Sequence, residues 1–265
     1  MAMKLPEYLI ESNTPFSGWN FTYLKSTSRM HEAPLPWNYY LLALKHLYMA
    51  NTVLDLGTGG GEFFSQFPLQ NKRAFATERY APNVAVAKHK LERLGVQVIG
   101  LEKNEDIQLE QNMLDLILCR HEAYQEDEIY ALLTKYGVFI TQQVGGDNNK
   151  EFHSILGSER QQPLLYLEQV EANLKDAGFY IEYSNEVKTY TRFYDIGAVL
   201  FYLDALAHQI PITTPNQYEL GIREIEAIID ENGYYDVTCH RLIVVAKKSE
   251  ETLYTKFAIK EHDID

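Results

Sequence analysis

Cysteine is scarce in this chain: only Cys119 and Cys239 occur, far apart and in no CxxC spacing. That excludes a disulfide framework and a cysteine-based zinc site, and both are expected as free thiols in a reducing compartment. Positive charge is short as well. Lys and Arg number 24 against 37 Asp and Glu, a formal net charge of -13. Such a chain repels a polyphosphate backbone unless a local basic patch overcomes it, so nucleic acid is disfavoured and a small-molecule or protein substrate is favoured. No apolar run approaches the length that spans a bilayer, and the start MAMKLPEYLIESN lacks the apolar stretch of a secretion signal. The expectation is a cytoplasmic protein with no membrane partner, monomeric or homodimeric. Internal repeats and low-complexity tracts are missing too.

What is present suits one sizeable core with decorations: 265 residues, 46% of them hydrophobic. Short apolar runs alternate with helical patterns from Val53 onward, the signature of a parallel sheet flanked by helices. Strands are expected at 53–56, 73–77, 96–99, 114–119, 138–141, 179–187 and 237–246. Helices are expected from Pro82 to the stop at Gly95, over 127–135, from Pro163 to Ala177 with Gly178 as stop, and near 195–208 and 217–231. The fold class is α/β, a Rossmann-like doubly wound seven-stranded sheet, last strand antiparallel, with a helical and aromatic cap. The expected division is an N-terminal aromatic cap and helix (1–50), a core (51–187 plus 233–248), a helical insertion over the active site (188–232) and a tail (249–265).

VLDLGTGGGEF, residues 53–63, runs a strand straight into glycines. A strand, a glycine loop and a helix N-terminus would gather backbone N–H groups around a ligand. The dinucleotide fingerprint G-x-G-x-x-G is not what stands here; the pattern is Asp55-x-Gly57-x-Gly59-x-Gly61. An acid beside the loop repels a pyrophosphate and suits a cationic, amine-bearing ligand. At the end of the second strand stands Glu78, in ATERY. There a carboxylate can take both hydroxyls of an unphosphorylated ribose. Acid, loop and acid describe a nucleoside joined to a positively charged amino acid, and S-adenosylmethionine fits.

With VLDLGTGGGE, ATERY, LDLILCRHEA and YGVFITQQVGG, the chain resembles the class I S-adenosylmethionine-dependent methyltransferases over roughly residues 50–248. RHEA, TQQVGG and CHRLIVVAKK look like a group of bacterial methyltransferase-domain proteins whose acceptors are mostly unassigned. The resemblance implies a cofactor site of Asp55, Gly57, Thr58, Gly59, Gly61, Glu78, Arg79, Asn104, Cys119 and Arg120. Which residue meets adenine N6 stays open among Glu102, Asn104, Glu105 and Asp106.

The resemblance also turns the end of the fourth strand, Cys119-Arg120-His121-Glu122, toward the reacting methyl group. His121 is then the candidate general base, since a histidine can take a proton at neutral pH. The bland alternative has His121 and Glu122 opening the next helix. The expected acceptor pocket is Trp19, Tyr23, Trp37, Glu122, Gln142 and Tyr194, with Gln143 and Tyr190 beside it, although these aromatics equally suit a welded cap. Arg29 and Arg192 are candidates for an anionic group. Asp147-Asn148-Asn149 with Glu122 offers oxygen ligands for magnesium in no defensible metal spacing, so no metal is expected. His240 reads as a buried histidine, and His208 is left without a role. Methyl transfer to a small-molecule oxygen or nitrogen leads; an RNA methyltransferase and a non-catalytic S-adenosylmethionine-binding protein are the alternatives.

Overall fold

The structure, a computed structural model, describes residues 21–102, 107–160, 164–207, 209–212 and 214–248. Its elements in chain order are α1 (Thr22–Ser26), β1 (Met30–Glu32), α2 (Tyr39–Met49), β2 (Thr52–Leu56), β3 (Arg73–Glu78), α3 (Ala81–Leu91), β4 (Val96–Gly100), β5 (Leu114–Arg120) and α4 (Glu126–Leu132). There follow β6 (Leu133–Val144), α5 (Lys150–Leu156), α6 (Leu167–Ala177), β7 (Phe179–Phe193), α7 (Ile196–Ala205), α8 (Pro215–Asn232) and β8 (Tyr235–Lys248). The strands form one sheet in the order β1-β7-β8-β6-β5-β2-β3-β4. The chain divides into two compact units. One takes Met1–Pro36, Gly145–Leu164 and Val187–Arg241; the other takes Trp37–Val144, Leu165–Glu186 and Leu242–Asp265.

In the second unit β4, β3, β2, β5 and β6 are parallel neighbours. Their apolar runs explain this arrangement. Val53, Leu54 and Leu56 of β2, and Leu114, Leu116, Ile117 and Leu118 of β5, are all buried, as strands covered on both faces must be. The core joins Leu54, Ile117, Phe139, Leu174, Phe179 and Leu242. Chain order runs outward from β2 to β3 and β4, then returns to β5 and β6 on the other side of β2. The reversal between β2 and β5 is a topological switch point, where open parallel sheets hold ligands at their carboxyl ends.

The first unit has its own core, which packs Leu24, Phe152, Phe193, Tyr202, Ile225 and Val237. Asp195 caps α7 by accepting the Ala198 N–H at 2.8 Å, and α8 opens at Pro215 and stops at Gly233 in the left-handed region.

Several boundaries differ from the sequence reading. The sheet has eight strands among the described residues, not seven: β1 pairs antiparallel with the end of β7, Met30 opposite Phe193 and Glu32 opposite Thr191. A three-residue strand carries no periodicity of its own, and the sequence pattern places its partner, beyond residue 187, in the insertion. α6 begins at Leu167, not Pro163, because Tyr166 is extended and the Leu167 N–H is taken by the Glu186 carboxylate at 3.1 Å. α4 ends at Leu132, and residues 133–135 already belong to β6, where Leu133 stands opposite Leu114.

Candidate functional site

Leu56, Glu78, Arg120 and Gln142 stand at or near the carboxyl ends of β2, β3, β5 and β6. Parallel pairing sets Leu56 beside Cys119, Cys119 beside Thr141 and Arg120 beside Gln142. The glycine loop leaves β2 here. Gly57, Gly59 and Gly61 all have positive φ, which only glycine adopts freely. A Cβ on Gly57 would stand 2.5 Å from Glu122 Cβ, and one on Gly61 2.7 Å from Leu91 Cγ. The loop is held from behind: Thr58 N–H donates to Thr77 O at 2.8 Å and Gly61 N–H to Thr58 O at 3.0 Å, while Gly57 N–H reaches Thr77 Oγ1 at 3.3 Å. No α-helix follows, contrary to the sequence reading; the chain makes only a short 3₁₀ turn at Phe64–Gln66. Without a helix N-terminus the loop lacks the dipole that would favour a pyrophosphate.

Asp55 is buried beneath this loop, and burial pushes its carboxyl up to about 7. The Thr58 hydroxyl, the Arg120 guanidinium and, in the opposite sense, Glu78 also act on it. The Thr58 Oγ1 lies close without full hydrogen-bond geometry and is a buried polar atom with no partner. Arg120 lies over the Phe63 ring, 4.1 Å from its centroid, and among the described residues no acceptor takes its N–H fork. A buried acid without a bonded cation, an orphaned hydroxyl and an unfilled guanidinium fork thus stand close together at these strand ends, an arrangement with the chemistry to take an ammonium and a carboxylate.

Glu78 is buried at the next strand end. Its Oε2 accepts the Gly59 N–H and its Oε1 the Tyr80 N–H, each at 2.7 Å. Each oxygen keeps acceptor capacity for a hydroxyl donor. Arg79 donates to Glu102 O at 2.6 Å and is exposed. Glu122 is half-buried, and burial together with the Glu78 charge raises its carboxyl. Burial pushes the Cys119 thiol up to about 12, so it is an inert packing group and not a nucleophile. The Gln143 amide donates to Glu122 O and to Thr141 Oγ1, both at 2.9 Å, which ties the end of β6 to the segment after β5.

His121 lies outside any helix, since α4 starts only at Glu126 with Glu126, Asp127 and Glu128 as its first-turn acids. This removes the helix-opening alternative. The residue is exposed, its backbone is left-handed at φ 67°, and its N–H donates to Gln142 O at 2.9 Å. A non-glycine residue held there is strained, and such strain concentrates at functional sites. Its ring faces the Gln142 amide, which also meets the Trp37 indole.

Other candidates are drawn into structural roles in the first unit. Arg29 grips Asp195 at 2.8 and 2.5 Å, and Arg192 grips Asp236 twice at 2.8 Å while stacking on Tyr234 and Tyr190. Neither arginine is left as an anion receptor. Asp147 pairs with Lys188, Asn148 with Arg241 and Asn149 with Tyr202, so these oxygens are committed to protein partners. Among the described residues no group of three or more His, Cys, Asp or Glu could hold a metal. His240 is fully buried and accepts the Asp147 N–H. Tyr23 packs on Phe201 and remains part exposed, as does Tyr194. These two belong to the first unit, whereas Trp37, Glu122 and Gln142 belong to the second. Trp19, Asn104, Glu105, Asp106 and His208 lie outside the described residues. Phe63, Thr77 and the role of Gln143 escaped sequence reasoning. Phe63 directly follows the loop and Thr77 directly precedes Glu78, so proximity was the available signal.

No helix among the described residues is long and apolar enough to cross a membrane. No curated protein matches the sequence. Residues 54–140 match the family described as methyltransferase domain. Among solved structures, one similar fold is a protein from Bacillus halodurans C-125 provisionally assigned as a methyltransferase, with 17% identity, TM-score 0.56, and 80% of this chain and 97% of that one covered. Geranyl diphosphate methyltransferase in complex with S-adenosylmethionine is 12% identical with TM-score 0.50, covering 78% and 83%. The [4+2]-cyclase SpnF is 16% identical with TM-score 0.51, covering 92% of each chain, and it shows that this fold does not fix a reaction. Residues 54–140 are therefore similar to the methyltransferase-domain family, and the fold around them is shared with solved methyltransferase structures.

Proposed function

We propose that the protein transfers a methyl group from S-adenosylmethionine to an oxygen or nitrogen of a small molecule. The observation that carries this is the pair of buried acids flanking a glycine loop that has no helix N-terminus behind it. Asp55 and Arg120 suit the two ends of the amino acid, and Glu78 suits the ribose hydroxyls. The bound cofactor supplies an electrophilic methyl carbon on a sulfonium. That carbon would be offered to an acceptor lone pair with S-adenosylhomocysteine as the leaving group, and the proton of the acceptor would need a base. His121, at the end of β5, is assigned that proton. Holding the acceptor about 3 Å from the carbon and in line supplies much of the acceleration, so the walls around His121 matter as much as its basicity.

Calorimetric titration with S-adenosylmethionine tests the cofactor, and transfer of a labelled methyl to a fractionated cell extract tests the acceptor. Binding with label on a low-mass product is the expected result. Absence of binding overturns the donor assignment; label on RNA overturns the acceptor class. Binding without transfer to any fraction would favour a binding protein. His121→Gln should lower turnover with cofactor affinity nearly unchanged, by about 10²-fold or more for a general base. An unchanged rate removes His121 from the reaction.

A further inference from the structure

Three side chains of the second unit form a chain of polar contacts. The Trp37 Nε1 donates to Gln142 Oε1 at 2.8 Å, and Gln142 Nε2 faces His121 Nε2 at 3.5 Å. Trp37 and Gln142 are both buried, and His121 is at the surface.

The donor inventory orders this chain without reference to any hydrogen position. An indole N–H can only donate, so the amide oxygen must turn toward Trp37. The amide NH₂ then has to turn toward the imidazole. An NH₂ group cannot accept, so the ring nitrogen facing it must carry a lone pair. We infer that Trp37 and Gln142 are positioning residues that hold His121 in its Nδ1–H tautomer, keeping Nε2 free of a proton as the nitrogen that receives the proton of the acceptor.

The long, weak contact at 3.5 Å is consistent with such a role. An acceptor O–H or N–H arriving at Nε2 replaces the Gln142 amide as donor at small cost, whereas a tight bond would resist it. Backbone restraint supports the same end. The His121 N–H bond to Gln142 O and the left-handed φ fix where the ring leaves the chain, so tautomer and position are set by one residue of β6. The sense is the reverse of a carboxylate-oriented histidine, in which an acceptor partner fixes N–H on the nitrogen facing it. This inference rests on His121 acting on the acceptor, although the tautomer is measurable without any acceptor.

Long-range proton–nitrogen correlation spectra of the ¹⁵N-labelled full chain, with His121 assigned by its loss in His121→Gln, read the tautomer directly. The expected wild-type pattern above the imidazole titration has a protonated Nδ1 and a bare Nε2. In Gln142→Glu, a carboxylate accepts from both Trp37 and the ring, so the pattern should invert to a protonated Nε2. Trp37→Phe frees the amide to turn over and should give a mixture. A wild-type Nε2–H ring, or a pattern unchanged in Gln142→Glu, overturns the relay. Failure of S-adenosylmethionine binding would overturn the proposed function and leave the tautomer standing, so the two failures are distinguishable.

Discussion

Asp55 carries the sharpest consequence at the scale of a single residue. Its carboxyl titrates near 7 because it is buried without a bonded cation. Between the ordinary carboxyl value and about 7, the folded chain keeps a proton that the unfolded chain has released. The contribution of Asp55 to stability is therefore lost as pH rises through about 7. A ligand ammonium beside it favours the charged form. S-adenosylmethionine binding should then release a proton, and affinity should rise by up to about tenfold per pH unit before levelling off above about 7. Calorimetry in buffers of different ionisation enthalpy measures that proton, and Asp55→Asn should abolish it. Affinity flat with pH would place the ammonium elsewhere. Gly57 is equally exacting. Gly57→Ala drives a Cβ into Glu122 at a positive φ, which should cost about 1–3 kcal/mol of stability by denaturant titration and remove cofactor binding. The place of Asp55 and Glu78 at strand ends beside the glycine loop was legible in the sequence. The Trp37–Gln142–His121 chain was not, since its members are separated by 105 and 21 positions and only the sheet register brings them together.

At the scale of elements, the site depends on how strand ends are tied. Glu78, at the end of β3, holds the loop after β2 through the Gly59 N–H and its own following turn through the Tyr80 N–H. Glu78→Gln keeps the shape but offers one acceptor and one donor. One of the two N–H groups then meets an NH₂, and stability should fall by about 1–3 kcal/mol with weaker cofactor binding. Unchanged melting would show that the loop closes without Glu78. In the first unit Asp195 caps α7 and holds Arg29, and these partners hold its carboxyl below the usual range against the effect of burial. Its contribution is present above the ordinary carboxyl value and lost as pH falls through the lowered one. Asp195→Ala should cost about 1 kcal/mol at neutral pH as a lost cap, read as a shift in denaturation midpoint that vanishes in acid. Strands and helices with apolar periodicity were foreseeable element by element. The missing helix after the loop was not, because the left-handed Gly57, Gly59 and Gly61 lead into a 3₁₀ turn where the strand–glycine pattern suggested a helix N-terminus.

At the scale of the whole molecule, charge narrows what the protein can meet. A net charge of -13 predicts no salt-dependent retention of RNA in filter binding at moderate ionic strength. Tight, steeply salt-dependent retention would revive the RNA alternative. The amino-acid sequence by itself determined the parallel sheet and the acid–glycine–acid pattern at its strand ends, while the strand order and its switch point came from the structure. Apolar runs, glycines and acids act over a few residues, and their periods and spacings are written in the chain. Only the tertiary structure decided which polar groups are satisfied and which are left over. Burial raises Asp55, orphans Thr58 Oγ1 and turns Gln142 toward His121. It took Arg29, Arg192 and the Asp147-Asn148-Asn149 run out of contention by giving each a protein partner. Those outcomes depend on distances between segments far apart in sequence, and a hydrogen bond or a desolvated charge exists only once folding has set those distances.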